Sequence, residues 1–235
     1  MRLPVISHPV RRHGSLHRIL IPAAALRHTW LRSPFLTGYG KITASRADLL
    51  RLGALFRLAA ISPHSAVHLP LRANQVPEDL AHWFTDHRPA DLLIAHRDAG
   101  LRASAWPGLR ASTRRRATQA DRQTATTPAA RPDPDPHSRD FSADRRLALS
   151  EHAETLLITA PGQGLHQVGD LLSQAGEAVA THRDIHRNGF ALLSSLTPVL
   201  RGGGGAPDEL EIDIYAREPI FHKARWAASA TPPPA

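Results

Sequence analysis

Apolar and polar positions divide the chain into short elements of two periods. Ser45 is followed three residues on by Asp48, as in a capping box, and Leu49, Leu52, Phe56 and Ala59 then recur at helical spacing until Pro63. This predicts a helix with one buried face. In "SAVHLPLR", Val67, Leu69 and Leu71 alternate as in a strand, and Pro70, which cannot donate to a ladder, suggests a sheet edge. Pro77, Glu78 and Asp79 open a second short helix that buries Leu80 and Phe84 and ends before Pro89. "DLLIAH" then reads as a fully buried strand.

The same grammar returns after residue 147. "ETLLITA" is a buried strand, Leu165, Val168, Leu172, Ala175 and Val179 form an apolar helical stripe, and "GFALL" is another strand. "ELEIDIY" alternates without a break, sending Leu210, Ile212 and Ile214 inward and Glu209, Glu211 and Asp213 outward. A final helix is expected over 217–228. Between these regions, residues 111–146 hold almost no large apolar side chain and carry the run "PDPDP", a composition that cannot pack a core.

The expected fold class is therefore α/β or α+β, with two sheet-and-helix halves joined by a disordered linker. The halves are a basic mixed α/β half at 1–110 and a mildly acidic α+β half at 147–235, with 111–146 as the linker, and they either stand apart or pack into one body. "LLIAHRDAGL" from Leu92 and "LLITAPGQGL" from Leu156 echo one another and raise the idea of a duplication, although a Leu-rich and Ala-rich chain produces such matches by chance.

Composition changes this picture in three ways. No apolar run approaches the eighteen or so residues that a membrane-crossing helix needs. With no cysteine, disulfides, thiolate nucleophiles and sulfur-bound zinc are excluded. The net charge of +8 is unevenly spread: residues 1–110 hold 15 basic and 6 acidic side chains, residues 147–235 hold 6 and 10, and no acid precedes Asp48. The front half is thus suited to phosphates or, the preferred reading, to the acidic half of the same chain. "VRRHGSLHRILIPAAAL" has some features of an export signal, but its apolar run from Ile19 contains Pro22 and little bulk, so a strand near 18–21 and a cytoplasmic location are expected.

Candidate chemistry is weak. Gly162 and Gly164 open a strand-to-helix turn like a phosphate loop, yet Asp170 and Leu171 stand where a lysine and a hydroxyl belong; Arg201, before a glycine run, is the other anion candidate. His-Arg-Asp triplets at His96 and His182 resemble the kinase catalytic loop without its metal-holding Asn. His182 and His186 are the candidate metal pair, four residues apart on one helical face. Glu209, Glu211 and Asp213 form an acidic face, expected to be solvated or to meet a basic partner. Arg11, Arg12, Arg114, Arg115 and Arg116 are candidates for nucleic-acid binding, though aromatic residues for stacking are sparse.

No catalytic motif survives this reading and no cofactor is implied. The expectation is a soluble, non-enzymatic binding or regulatory protein of unknown partner, with nucleic acid a candidate partner. The alternatives are an enzyme that combines Glu211 or Asp213 with His182 or His186, and nucleic-acid binding through the arginines.

Overall fold

The computed structural model describes residues 1–85, 88–130, 147–200 and 210–218. Outside these lie the expected linker from 131 to 146, Arg201, Glu209 and the final-helix segment 219–228; the side chains of Arg11 and Arg12 are also outside the description. In chain order the elements are β1 (Arg2–His13), β2 (Leu16–Pro22), β3 (Thr29–Arg32), β4 (Tyr39–Ala44), α1 (Arg46–Ala60), β5 (Ser65–Leu69), α2 (Glu78–Ala81), β6 (Asp91–His96), α3 (Trp106–Arg115), β7 (Asp121–Thr126), β8 (Ala148–His152), β9 (Thr155–Ala160), α4 (Gly162–Ala178), α5 (Arg183–Asn188), β10 (Phe190–Ser195) and β11 (Glu211–Arg217). A seven-stranded sheet has the order β7-β1-β2-β5-β6-β9-β8, and a four-stranded sheet the order β10-β11-β4-β3. The mixed α/β class expected from the sequence is the class observed.

Both sheets send one face into a common core. Val67, Leu69, Leu92, Ile94, Leu156 and Ile158 from the large sheet and Ile42, Ile212 and Ile214 from the small one meet α1 and α4, whose apolar stripes lie in the same cluster. Ser45 caps α1 as its spacing predicts, its hydroxyl accepting from the Asp48 N–H at 3.3 Å. Asp48 in turn accepts from the His28 N–H at 2.9 Å and the Thr29 hydroxyl at 3.2 Å, tying the loop before β3 to the helix start. The two helices cross where neither has a side chain: a Cβ on Gly53 would lie 2.5 Å from the Gly169 carbonyl oxygen, and one on Gly169 would lie 2.7 Å from that of Gly53. The opposite face of the large sheet carries a second, smaller core of Ile19, Ala66, Leu93, Ala95 and Leu157 beneath Trp106 and Leu109 of α3.

Several expectations need correction. The two sequence halves do not own separate sheets. β6 runs parallel to β9, from Asp91 against Thr155 to His96 against Ala160, and β4 runs parallel to β11, so the halves pack into one body. Residues 111–130 are not linker: they hold the end of α3 and β7, which lies along β1 from Arg2 against Thr126 to Ser7 against Asp121. A strand at a sheet edge is held by backbone hydrogen bonds along one side, so the polar sequence "DRQTAT" can form it without feeding a core. β5 is an interior strand, buried throughout, because Pro70 falls just after its last residue and takes no ladder position. Arg217, expected to begin a helix, ends β11. The segment with features of an export signal lies in the β1–β2 hairpin, with Ile19 and Leu20 buried.

A repeated order of elements underlies this topology. Apart from the short helices α2, between β5 and β6, and α5, between α4 and β10, the runs β3-β4-α1-β5-β6 and β8-β9-α4-β10-β11 each read antiparallel strand pair, helix, antiparallel strand pair, and the two copies exchange: the pair of each copy that follows its helix adjoins the other copy's strand preceding its helix. Ile42, Thr43, Ala44, Leu49, Gly53, Leu55 and Ala59 of the first copy match Ile158, Thr159, Ala160, Leu165, Gly169, Leu171 and Ala175 of the second, each 116 positions on. The echo between Leu92 and Leu156 has another origin. Those residues are cross-strand neighbours on β6 and β9, and adjoining buried parallel strands draw on the same residue types.

Candidate anion-binding site

The second core supports an arginine-lined cavity. Trp106 is 2 % exposed and anchors α3: its indole N–H donates to the Thr155 hydroxyl at 3.0 Å, and its ring lies 4.7 Å from the His68 imidazole. Anchoring Trp106 fixes the face that Arg110 and Arg114 share with it, one and two turns on. Arg110 turns inward to Asp91, its Nη2 3.1 Å from Oδ2 as an ion pair without hydrogen-bond alignment. The other Asp91 oxygen accepts the Arg72 N–H at 3.0 Å, and His68 Nε2 stands 3.7 Å from Oδ2. Burial pushes the Asp91 carboxyl up, but His68, the Arg72 N–H and Arg110 together hold it below the ordinary value. His8, on the same side of the sheet, is pushed down by burial and further by His68.

Above this anchor is a cavity of about 440 Å³ whose lining includes Trp106, Arg110, Ala111, Arg114, Arg115 and Ala153. Arg114 and Arg115 are exposed, and neither meets a carboxylate among the described residues. The far wall is the two-residue turn between β8 and β9, where Ala153 and Glu154 hold φ of 50° and 58°. That is the left-handed backbone a tight hairpin needs, normally supplied by Asn and Gly. Arg116 caps the C-terminus of α3, and Arg122 lies exposed on the neighbouring edge strand. Three guanidiniums around one concavity, one of them fixed by a buried carboxylate, can take an anionic group in bidentate hydrogen bonds.

The other candidates arrange themselves differently. The Gly162 N–H donates to His96 Nε2 at 2.9 Å, so a neighbouring strand satisfies the first amide of α4. A Cβ on Gly162 would come 2.9 Å from the Ala60 carbonyl oxygen, so glycine is needed there for the approach of α1; Gly164 is buried. His182 precedes α5, and His186 Nε2 lies 2.9 Å from the Ala180 carbonyl oxygen. Among the described residues no group of three His, Asp or Glu is placed to hold a metal ion. His17 and His64, each four residues from another histidine (His13 and His68), stack on each other with centroids 5.1 Å apart.

Asp213 is only half solvated. It accepts the Tyr39 hydroxyl, which lies 3.2 Å from that of Tyr215, while Lys41 Nζ sits 3.7 Å above the Trp83 ring. Burial and then these hydrogen bonds raise the Tyr39 pKa; burial and the Arg32 charge lower that of Lys41, and Asp213 opposes them. Glu211 is exposed at the start of β11. The structure therefore puts Asp213 with tyrosines and a lysine, not with His182 or His186. A larger cavity, about 700 Å³ beside Trp30, contains Arg217, but Asp79 holds that guanidinium through two hydrogen bonds of 2.8 Å.

Sequence reasoning reached Arg114, Arg115 and Arg116 from their charge run alone and missed Trp106, Arg110, His68 and Asp91. The available signal was Trp106, Arg110 and Arg114 recurring at a spacing of four, which shows only once the segment is treated as a helix. No protein-family model, no curated protein and no solved structure matches the chain, so the site stands on its own geometry.

Proposed function

We propose that the chain is a soluble, cytoplasmic, non-enzymatic binding protein whose partner presents phosphate groups to the arginines of α3. The observation that carries this reading is the cavity between Trp106 and Ala153, with Arg114 and Arg115 unpaired among the described residues and Arg110 held from below by Asp91. Several arginines elsewhere already have partners. Arg46, Arg57 and Arg72 meet Glu177, Asp170 and Glu154, the basic front half against the acidic back half, and Arg217 meets Asp79. A nucleic-acid backbone is the phosphate source that fits best, because Arg116 and Arg122 extend the positive surface beyond the cavity. Sparse aromatic residues favour contacts to phosphates over base stacking. The absence of a long apolar helix among the described residues is consistent with a soluble chain.

Fluorescence anisotropy with a labelled 20-base-pair DNA duplex tests the proposal across a salt series. Affinity should fall steeply as salt rises, and the double variant R114A/R115A should bind more weakly with a log–log salt slope smaller by about two. Binding that ignores salt, or a double variant that binds as the parent does, would overturn it.

A further inference from the structure

The two repeated units differ in what covers their outer faces. In the first, the chain leaves β6 and returns over the large sheet: Leu101 and Trp106, five and ten residues after His96, are buried against its outer side. The equivalent of His96 is Ala216, since His96 pairs with Ala160, Ala216 pairs with Ala44, and these alanines occupy matching places in the repeat. Five and ten residues after Ala216 stand Phe221 and Trp226.

The surface that such a return would cover is aromatic, and Trp83 already packs on part of it, 5.0 Å from both the Phe190 and the Tyr215 ring. Tyr39, Lys41, Asp213 and Tyr215 share the outer side of β4 and β11, with Phe190 stacked on Tyr215 at 5.1 Å. Leu192 pairs with Tyr215 as Ala66 pairs with Ala95 in the first unit; Ala66 is fully buried, whereas Leu192 is 51 % exposed. The face carries Glu211 and Asp213 beside Lys41 and Arg32, so its charge is balanced, and the segment from 219 to 235 brings only Lys223 and Arg225 as charged side chains to set against the two acids. The last described residue, Glu218, leaves β11 of this same sheet.

We propose that the outer face of the small sheet is the docking surface for the chain's own residues 219–228, with Phe221 and Trp226 seated beside Leu192, Tyr39 and Tyr215 as Leu101 and Trp106 are seated on the large sheet. Trp106 donates to Thr155, and the residue matching Thr155 is Tyr39, so the Trp226 indole is placed at the Tyr39–Tyr215 hydroxyl pair. The proposal is independent of the anion site, which lies on the other sheet.

The absence of cysteine makes one test direct. A nitroxide is attached to the full chain through Thr37→Cys, an exposed turn position two residues before Tyr39, and the four tryptophan indole N–H signals are followed by NMR, with Trp226 assigned through Trp226→Phe. Docking predicts that the Trp226 signal is broadened as strongly as that of Trp83, while Trp106 on the outer face of the large sheet keeps its intensity. A Trp226 signal that keeps its intensity overturns the proposal. So does broadening that appears when spin-labelled chains are mixed with isotope-labelled chains carrying no nitroxide, because the occupant is then a second copy.

Discussion

At the residue scale, the arginine cavity rests on Asp91. Its carboxylate is 1 % exposed and is made tolerable by the Arg72 N–H, the Arg110 guanidinium and the neighbouring His68. Asp91→Ala leaves the Arg72 N–H without that acceptor and releases Arg110 from its inward position. Urea unfolding at neutral pH should show a loss of about 3 kcal/mol, the lower end of the range for a broken buried pair because Arg110 can reach water. The pH dependence has a definite sign. A carboxyl depressed in the folded state contributes stability above its unfolded value, near 3.8, and loses it as pH falls through the folded value. The gap between parent and variant should therefore be full at neutral pH and narrow in acid below about pH 3.8; a gap that stays constant there would mean that Asp91 is not held by charge.

At the element scale, the crossing of α1 and α4 admits little change. Each helix brings a glycine to the contact, and an added methyl would press on backbone atoms that cannot turn aside. Gly53→Ala or Gly169→Ala gains about 1 kcal/mol of helix propensity. The methyl must then push apart a pair of helices that also share Arg57, whose Nη1 donates to the Gly169 carbonyl at 2.8 Å and the Ser173 hydroxyl at 2.9 Å. The net expectation is a loss of about 2 kcal/mol or more, a fall in Tm of roughly 5 °C or more by calorimetry; a rise would show that the helices separate freely. Much of this level was legible in the sequence. α1, α4, β6, β9 and β11 each bury one face or two, so their period or their unbroken apolar run betrayed them. β7 and α3 were not legible, because an edge strand can be polar throughout and a helix lying on a sheet through Trp106 and Leu109 can be mostly arginine and small residues elsewhere. The exchange of hairpins was hidden for another reason: alternation shows which face of a strand is buried but not which strand lies beside it.

At the scale of the whole molecule, exchange makes the two sequence halves mutually dependent. If residues 1–130 stood alone, β6 would lose β9 and β4 would lose β11, leaving two long apolar edges open, and α1 would lose α4 from its most tightly packed face. Covalent continuity between the halves is a separate matter, since the contacts that join them are ladders, helix packing and ion pairs on either side of residues 131–146. A protease site inserted between Ser138 and Arg139 distinguishes the two contributions. After cleavage the fragments should co-elute as one species in native buffer, unfold together in a single transition, and separate only in denaturant. Opening a loop removes one chain connection whose entropy changes slowly with loop length, whereas separating the fragments exposes two interior strand pairs and the helix crossing at once. Fragments that drift apart in buffer would contradict the shared sheets. Fragments that co-elute but unfold in two steps would place the boundary of cooperativity between the halves, against the single core formed by α1, α4 and both sheets.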